Sequence, residues 1–319
     1  MIHTHSSPFT TIMNLLSASS HPLRGLTGAL LLSLALPVAR SHAEQPPAIL
    51  PSPTPTPEPS PEKLTRKEAA RLFHKAVNLQ QGIGDTPDPV KARELYFRAA
   101  RAGDPRAMQN LGVMLLAGAG VPADPAEGYR WIRSGADAGD PKALFSCSLL
   151  LRQGVGTAKD PSLASKMMQR SADLGYVPAL VSVADDSLSG ENGMTKDPKR
   201  AAELLLRAAQ AGHDGAALRL SDLYKNGTGF PKDPAKSDEW LATAARLGNS
   251  PAQFLYAHKM MVLKGPSASY PWIKLAKDAG YVPVIGMYYE ITALMTPDQI
   301  SHGDKEAAAI KAAYPPLAQ

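Results

Sequence analysis

Several short stretches of the chain carry glycines at a spacing that could cradle a phosphate. Residues 154–161 read GVGTAKDP, and Gly-x-Gly followed by Asp-Pro also occurs at 118–125 and 227–234. A glycine-rich turn before a helix can bind phosphate, because the free backbone N–H groups of the helix point at the ligand. A Walker loop, however, ends in Gly-Lys-Ser or Gly-Lys-Thr, and a dinucleotide loop follows a buried strand. Neither feature accompanies these glycines, so we do not expect a nucleotide or another cofactor.

The residue types that most often perform catalysis are few and scattered. Cys147 is the only cysteine, and it occupies the place that leucine fills at 111 and 220, so we expect a small buried core residue rather than a nucleophile. Asp185 and Asp186 are adjacent and would point about 100° apart on a helix, which does not make a carboxylate pair. No HExxH motif or His/Cys cluster is present, and the histidines outside the leader are expected at the surface: His74, His213, His258 and His302. We predict no catalytic residue and no metal ligand.

Two independent markers repeat with a period of about 36 residues. Asp-Pro pairs begin at steps of 36, 36, 37 and 36, at Asp88, Asp124, Asp160, Asp197 and Asp233. Glycines that end the following segment keep the same steps and then a shorter one, at Gly103, Gly139, Gly175, Gly212, Gly248 and Gly280. The extra residue of the fourth unit displaces both markers together, as a single insertion in a turn would. A fixed period of this length indicates a repeat architecture.

Each unit has the pattern of two amphipathic helices. In residues 106–141, apolar side chains recur at helical spacing in both halves. Gly118 lies where the first helix must stop, since glycine adopts the left-handed conformation of a helix C-terminus at little cost. Asp124 can then cap the second helix, a contribution of about 1 kcal/mol, and Pro125 suits the first helical position. Helices of this length are marginal alone, so the hairpins are expected to stack into an all-α solenoid.

The stretch DPVKARELYFRAARAGD (88–104) and the pattern Ala107…Leu111-Gly112…Gly118-x-Gly120-Val121…Asp124 resemble the Sel-one-like repeat, a relative of the tetratricopeptide repeat. The resemblance covers about residues 65–295 and implies a right-handed α-solenoid that binds other proteins. The family tends to place a tyrosine late in the first helix of each unit. This chain keeps only Tyr224 and has leucine at 79, 115 and 151. In the sixth unit, LKGPSASYPW has neither Gly-x-Gly nor Asp-Pro, and the stack is expected to bend or to present a different surface there.

The chain divides into four predicted regions. Residues 1–43 read as a signal peptide, with an apolar stretch at 25–39 and cleavage after Ala43, although an uncleaved anchor and a start at Met13 remain alternatives. Residues 44–62 form a linker that includes eight prolines in sixteen positions, expected to be extended. The solenoid spans 63–295. Residues 296–319 form a capping helix and tail, with Thr296 as N-cap, Pro297 at the first helical position and Gly303 as a weak point.

A binding surface follows from the analogy with tetratricopeptide stacks, in which the first helix of each unit lines the concave face. Positions two, six and nine after the first alanine of each unit select Gln109, Phe145, Arg152, Asp185, Leu188, Asp222, Lys225, Phe254 and His258. Exposed phenylalanines among charges would suit an extended peptide or a helix of a partner. The alternative is that the two phenylalanines fill gaps between units.

Charge and composition narrow the function classes. The formal charge is +5, of which Arg24 and Arg40 in the leader supply two, and this is too little to indicate nucleic-acid binding. We therefore predict an exported, periplasmic, non-enzymatic scaffold that binds another protein or peptide, without a stable membrane span once the leader is cleaved. Two alternatives remain. The first is a cell-wall or β-lactam hydrolase, which the resemblance to one exported branch of the Sel-one-like family implies. Members of that branch join each helix pair by two cysteines, and this chain lacks those pairs. It also lacks the combination of Ser-x-x-Lys with Ser-Asp-Asn. The second is a factor for envelope or polysaccharide-export assembly.

Overall fold

The computed structural model describes residues 64–84 and 86–314, and every regular element in them is a helix. Six hairpins, which we call units 1 to 6, each contain a first and a second helix. The first helices are α1 (Arg66–Gln81), α3 (Pro105–Ala117), α5 (Pro141–Gln153), α7 (Val177–Ser189), α9 (Asp214–Asn226) and α11 (Ser250–Lys264). The second helices are α2 (Pro89–Arg101), α4 (Pro125–Asp137), α6 (Pro161–Asp173), α8 (Pro198–Gln210), α10 (Pro234–Arg246) and α12 (Pro266–Asp278). A 3-10 helix (Val282–Val284), α13 (Ile285–Ala293) and α14 (Pro297–Ala313) follow.

Each second helix packs against the first helix of its own unit and against that of the next unit. This arrangement confirms the predicted all-α solenoid. The signal peptide and the whole of the proline-rich linker lie outside the described residues. Within the described residues, none of the helices combines the length and the apolar character that a membrane span requires.

The turns inside the units work as the sequence predicts. Gly118 ends α3 with φ 69°, and its N–H donates to the carbonyl of Met114. Asp124 then accepts a hydrogen bond from the backbone N–H of Glu127 at 2.9 Å, and Pro125 follows as the first residue of α4. The recurring glycines and Asp-Pro pairs are therefore helix stops and starts.

The backbone closes each turn in a way that explains the variable tyrosine position. The N–H of Asp124 donates to the carbonyl of Leu115 at 2.9 Å, and Asp233 donates to Tyr224 at the same distance. Because this bond uses only the main chain, leucine can replace tyrosine without loss of the turn.

The second glycine of the Gly-x-Gly pairs in units 3 and 5 has a role that the sequence does not reveal. A Cβ built on Gly156 would lie 1.9 Å from the carbonyl oxygen of Pro125 in the preceding unit. A Cβ on Gly229 would lie 2.2 Å from the carbonyl oxygen of Pro198. Since backbone cannot yield easily, only glycine permits the turn of one unit to approach the second helix of the unit before it.

Burial is greatest in the middle of the stack. All nine residues of α5 from Ala143 to Leu151 are buried. One apolar cluster extends from Leu116 to Ala252, while smaller clusters lie under the first units and under the C-terminal helices. A helix that is buried on every side must be covered by neighbours on every side.

The C-terminal region departs from the repeat, as expected, both in the connection between the two helices of unit 6 and in the helices that follow. Gly265, with φ 85°, alone joins α11 to α12 in the sixth unit. Helix α14 begins at the predicted cap, where Thr296 accepts from the N–H of Gln299, and it packs against α12. Gly303 does not break α14, because it is buried against Tyr270, whose Cδ1 would lie 2.4 Å from an added Cβ.

Candidate functional site

Side chains connect each first helix from α3 to the next, the last of them being Asn249 at the start of α11, which donates to Asp214 of α9 at 3.1 Å. We call the side that these helices share the first-helix face (α3, α5, α7, α9 and α11). The Nε2 of Gln109 on α3 donates to the Oγ of Ser146 on α5 at 2.8 Å. Arg152 on α5 pairs with Asp186 on α7 at 3.3 Å. Arg219 on α9 pairs with Asp185 on α7. The predicted binding residues on these helices therefore belong to a shared surface, but they are not equally accessible.

Two of the predicted residues are buried, which corrects the expectation that they are exposed. Gln109 is only 1% exposed because it bridges to α5, and one of its amide atoms has no hydrogen-bond partner in the described residues. Phe145 is 6% exposed, and its ring lies 5.4 Å from that of Tyr176 at the start of α7. Phe145 thus fills the gap between units, as the alternative interpretation held. We call α3 and α5 the closed section of the first-helix face.

Three further predicted residues are half-buried. Arg152 is held by the carboxylate of Asp186, and Leu188 packs against the central apolar cluster. Phe254 on α11 lies 5.9 Å from the ring of Tyr281. These side chains offer only part of their surface to a partner.

The remaining four predicted residues are exposed, and all lie on α7, α9 and α11, which we call the open section. They are Asp185, Asp222, Lys225 and His258. Asp185 already pairs with Arg219, while Asp222 and Lys225 have no ion-pair partner within the described residues. The open section therefore presents both signs of charge in adjacent positions. Whether these residues bind a partner stays a prediction.

Adjacent aspartates on α7 have opposite environments. Asp186 is buried and accepts from Nη2 of Arg152 and, at 2.6 Å, from Nδ2 of Asn192. Asp185 is exposed and faces α9. The two carboxylates are therefore not a catalytic pair, as the helical geometry predicts.

Sequence reasoning missed an apolar strip on α11. Leu255 is 48% exposed and Val262 is 74% exposed, and with His258 between them they follow the spacing of one helix face. Most exposed large apolar side chains of the described residues lie between 255 and 294. The spacing of three and four residues was visible in the sequence, but exposure could not be judged without the packing of α12 and α13. The open section thus passes from charged α7 and α9 to apolar α11.

The residues considered for catalysis occupy structural positions. Cys147 is fully buried, as predicted, and burial raises the pKa of its thiol to about 11. His74, His258 and His302 are exposed, as predicted. His213 is not a simple surface residue, because its Nδ1 accepts from the N–H of Ala216 at 3.0 Å and caps α9. Burial lowers the pKa of this imidazole.

The two most pronounced depressions among the described residues are open to solvent rather than enclosed. Two open depressions of about 420 and 410 Å³ flank α10. They share Glu239 and Thr243, and the larger one is also lined by Lys259 and Leu263 of α11. Within residues 64–84 and 86–314, no group of three His, Cys, Asp or Glu side chains is placed to hold a metal ion. Open hollows of this kind suit a macromolecular surface better than a small substrate, which is usually bound in a concave, largely enclosed pocket.

Comparisons with known proteins agree with this architecture. The family model described as Sel1 repeat matches residues 69–104, 105–140, 141–176, 180–213 and 215–249, together more than half of the chain. No curated protein matches. A Sel1 repeat protein from Oxalobacter formigenes is similar, with 27% identity, a TM-score of 0.55, and coverage of 66% of this chain and 86% of that one. A protective antigen of uropathogenic Escherichia coli that displays an SLR fold has 23% identity and a TM-score of 0.60. The alignment covers 78% of this chain but only 56% of the antigen.

Proposed function

Because this chain belongs to the Sel1 repeat family, we propose that it is a non-enzymatic scaffold that binds another protein across the open section of its first-helix face. Sel1 repeats are commonly protein-interaction scaffolds. The observation that carries the proposal is the contrast in accessibility along this face: α5 is buried through nine consecutive residues, whereas α7, α9 and α11 expose predicted binding positions.

The chemistry of the open section suits a protein partner. Asp222 and Lys225 can form charged hydrogen bonds, while Leu255 and Val262 on the neighbouring first helix offer apolar contact. Interfaces combine an apolar centre with a polar rim, and an amphipathic helix or an extended peptide can match both. We also propose that the protein acts in the cell envelope, on the strength of the leader sequence at 1–43.

The proposed surface can be tested by crosslinking in intact cells. A photoreactive residue at position 222 should capture a partner, and the same residue at exposed Glu203 on second helix α8 is the matched control. With the captured partner purified, Asp222→Arg should weaken binding at least about tenfold, since one lost charge-assisted contact is worth ~1.5–3 kcal/mol. Glu203→Arg should leave binding unchanged. More efficient capture of the same partner from position 203 would show that the first-helix face is the wrong surface.

The absence of catalysis has its own test. Purified protein should not turn over a chromogenic β-lactam or degrade isolated cell wall above the rate of a blank. Turnover that persists through repeated purification would contradict the proposed scaffold function and support the hydrolase alternative.

A further inference from the structure

The first helix of the stack is charged where later first helices are apolar. Leu111 and Met114 of α3 are buried against the preceding unit. The residues 36 positions earlier, Lys75 and Asn78 of α1, are exposed. Arg71 stands likewise at the position of buried Ala107. The side of α1 that would face a preceding unit is therefore polar and basic.

Three acidic residues of the first unit are used in helix caps, although one of them, Glu68, also has its pKa lowered by the hydrogen bonds from Thr65 and by the charge of Arg71. Glu68 is engaged in the capping box, where it accepts from the N–H of Thr65 at 2.8 Å. Asp88 caps α2, and Asp104 caps α3 and pairs with Arg106. Lys67, Arg71 and Lys75 line one side of α1 at a spacing of four and have no ion-pair partner within the described residues. We call this the basic side of α1.

Within the described residues, the turn that follows α1 lacks a neighbour that the turns of units 2, 3 and 5 have. Gly84 has φ 78°, yet a Cβ built on it meets none of the described residues within 4 Å. At the equivalent places, Gly120 and Gly156 approach the backbone of a proline in the preceding unit. Ile83, between the two glycines of its turn, is 56% exposed, whereas the equivalent Val155 packs against the central cluster. Among the described residues, the place that a proline backbone fills in units 2, 3 and 5 is open in the first unit, as it is at Gly193 in the longer turn of unit 4.

We propose that the acidic, proline-rich segment 46–62 of the same chain runs back along the basic side of α1 and covers Ile83 and Gly84. Residues 46–62 contain Glu58 and Glu62 and no lysine or arginine. The segment is therefore complementary in charge to the basic side of α1. Its prolines offer backbone of the kind that the equivalent glycine turns contact in units 2 and 3.

The segment has the length that this path requires. A polyproline II chain rises about 3.1 Å per residue and an α-helix about 1.5 Å, so each segment residue passes about two residues of α1. If Lys63 and Leu64 turn the chain, Glu62 comes beside Lys67 and Glu58 comes beside Lys75. Residues 53–55 then reach Ile83 and Gly84. The spacing of the two glutamates thus matches the spacing of the two lysines.

Disulfide trapping in the full chain tests this placement. Thr54→Cys with Gln81→Cys joins the segment to the end of α1, and Thr54→Cys with Gln153→Cys is the matched control, since residue 153 ends α5 as residue 81 ends α1. The native Cys147 is buried with a pKa of about 11, so it does not compete. We expect the 54–81 bond to form within one chain at least about tenfold faster than the 54–153 bond, because docking raises the effective concentration.

A charge-reversal cycle tests the cause. Glu58→Lys with Glu62→Lys should reduce the 54–81 rate to that of the control, and adding Lys67→Glu with Lys75→Glu should restore it. Salt at about 1 M should have the same effect as the first reversal, because it screens such pairs. The proposal would be overturned by any one of three results. These are equal rates for the two cysteine pairs, bonds between chains in place of bonds within one chain, and a 54–81 rate that does not change on charge reversal.

Discussion

Helices α5 and α11 occupy the same place in units 3 and 6, yet their surroundings differ completely. Every residue of α5 from Ala143 to Leu151 is buried. In α11, Leu255, Val262 and Leu263 are exposed, and His258 lies on the same side as the first two. A single period along the chain therefore produces both a closed and an open section of one face. The period determines the stack, and the side chains and neighbours of each first helix determine whether a partner can reach it.

The two helices differ in exposure because different elements pack against them. Helix α5 contacts α3, α4 and α6, and Phe145 and Arg152 connect it to the start and the body of α7. Helix α11 has α10 and α12 as neighbours, and on its far side Phe254 meets Tyr281, which precedes the 3-10 helix. The exposed apolar strip of α11 lies in the one described unit in which a single residue, Gly265, joins the two helices.

The largest expected effect comes from the turn that closes unit 3. Gly156→Ala should lower the free energy of unfolding by about 3–5 kcal/mol, because the new Cβ would meet the carbonyl of Pro125 and the backbone has a positive φ. Gly139→Ala is the control, since φ is also positive there and nothing lies within 4 Å of the Cβ. It should cost only about 1–2 kcal/mol. Equal losses in urea unfolding would show that the close approach to Pro125 does not hold the units together.

The two phenylalanines test the difference between the sections directly. Phe145→Ala should cost about 3 kcal/mol, the usual effect of emptying a buried aromatic site. Phe254→Ala should cost at least about 1 kcal/mol less, because the ring is only half-buried. Urea unfolding of both variants measures the difference. If Phe254→Ala proved the more destabilising variant, α11 would be the covered helix and the assignment of the open section would be wrong.

Adjacent aspartates give a third, smaller contrast. Asp186→Ala should lower the free energy of unfolding by about 2 kcal/mol, since it leaves Arg152 and Asn192 without their acceptor. Asp185→Ala should change it by less than about 0.5 kcal/mol, because its pair with Arg219 is exposed to solvent. The proposed function adds a second readout, since only the Asp185 variant should alter partner binding without altering stability. Similar losses of stability for both variants would contradict the different environments of the two carboxylates.

The sequence predicted the stack because its signals are local. A helix stop at Gly118 and a cap at Asp124 depend on a few neighbouring residues, and both are confirmed. The close approach of Gly156 to Pro125 joins residues of different units, so no local pattern predicts it. For the same reason, the exposure of Phe145 was predicted wrongly, since Tyr176 of the next unit covers it.

Signals for two of the corrections were nevertheless present. Residues 143–151 read ALFSCSLLL, with apolar or small side chains on every side of the helix, which is typical of a fully buried helix. His213 stands where earlier units have the caps Asp104 and Asp140, so a capping role could have been predicted from its position. The surface of α11 could not, because its exposure depends on how α12 and α13 pack.

The smallest expected effect concerns this cap of the open section. Burial lowers the pKa of His213, and Asp214 and Arg219 act on it in opposite directions. The unfolded chain therefore takes up the proton more readily than the folded protein. The stability from the neutral imidazole is present above the unfolded pKa of about 6.5 and is lost as the pH falls below it. A protonated Nδ1 can no longer accept from Ala216, so the loss between pH 7.5 and 5.5 should reach about 1 kcal/mol, the usual contribution of a cap.

The matched variant is His213→Asn, because Asn249 caps α11 in the same way by accepting from the N–H of Ala252 at 2.9 Å. Asparagine does not titrate, so the variant should lose less stability than the parent protein over this pH range in urea unfolding. Carboxylates change little between pH 7.5 and 5.5 and are common to both proteins, so the difference between the two slopes belongs to residue 213. Identical slopes would mean that His213 keeps its cap when protonated or does not cap α9 in solution. Either result would mean that the histidine cap of the open section is no more sensitive to pH than the carboxylate caps of the closed section.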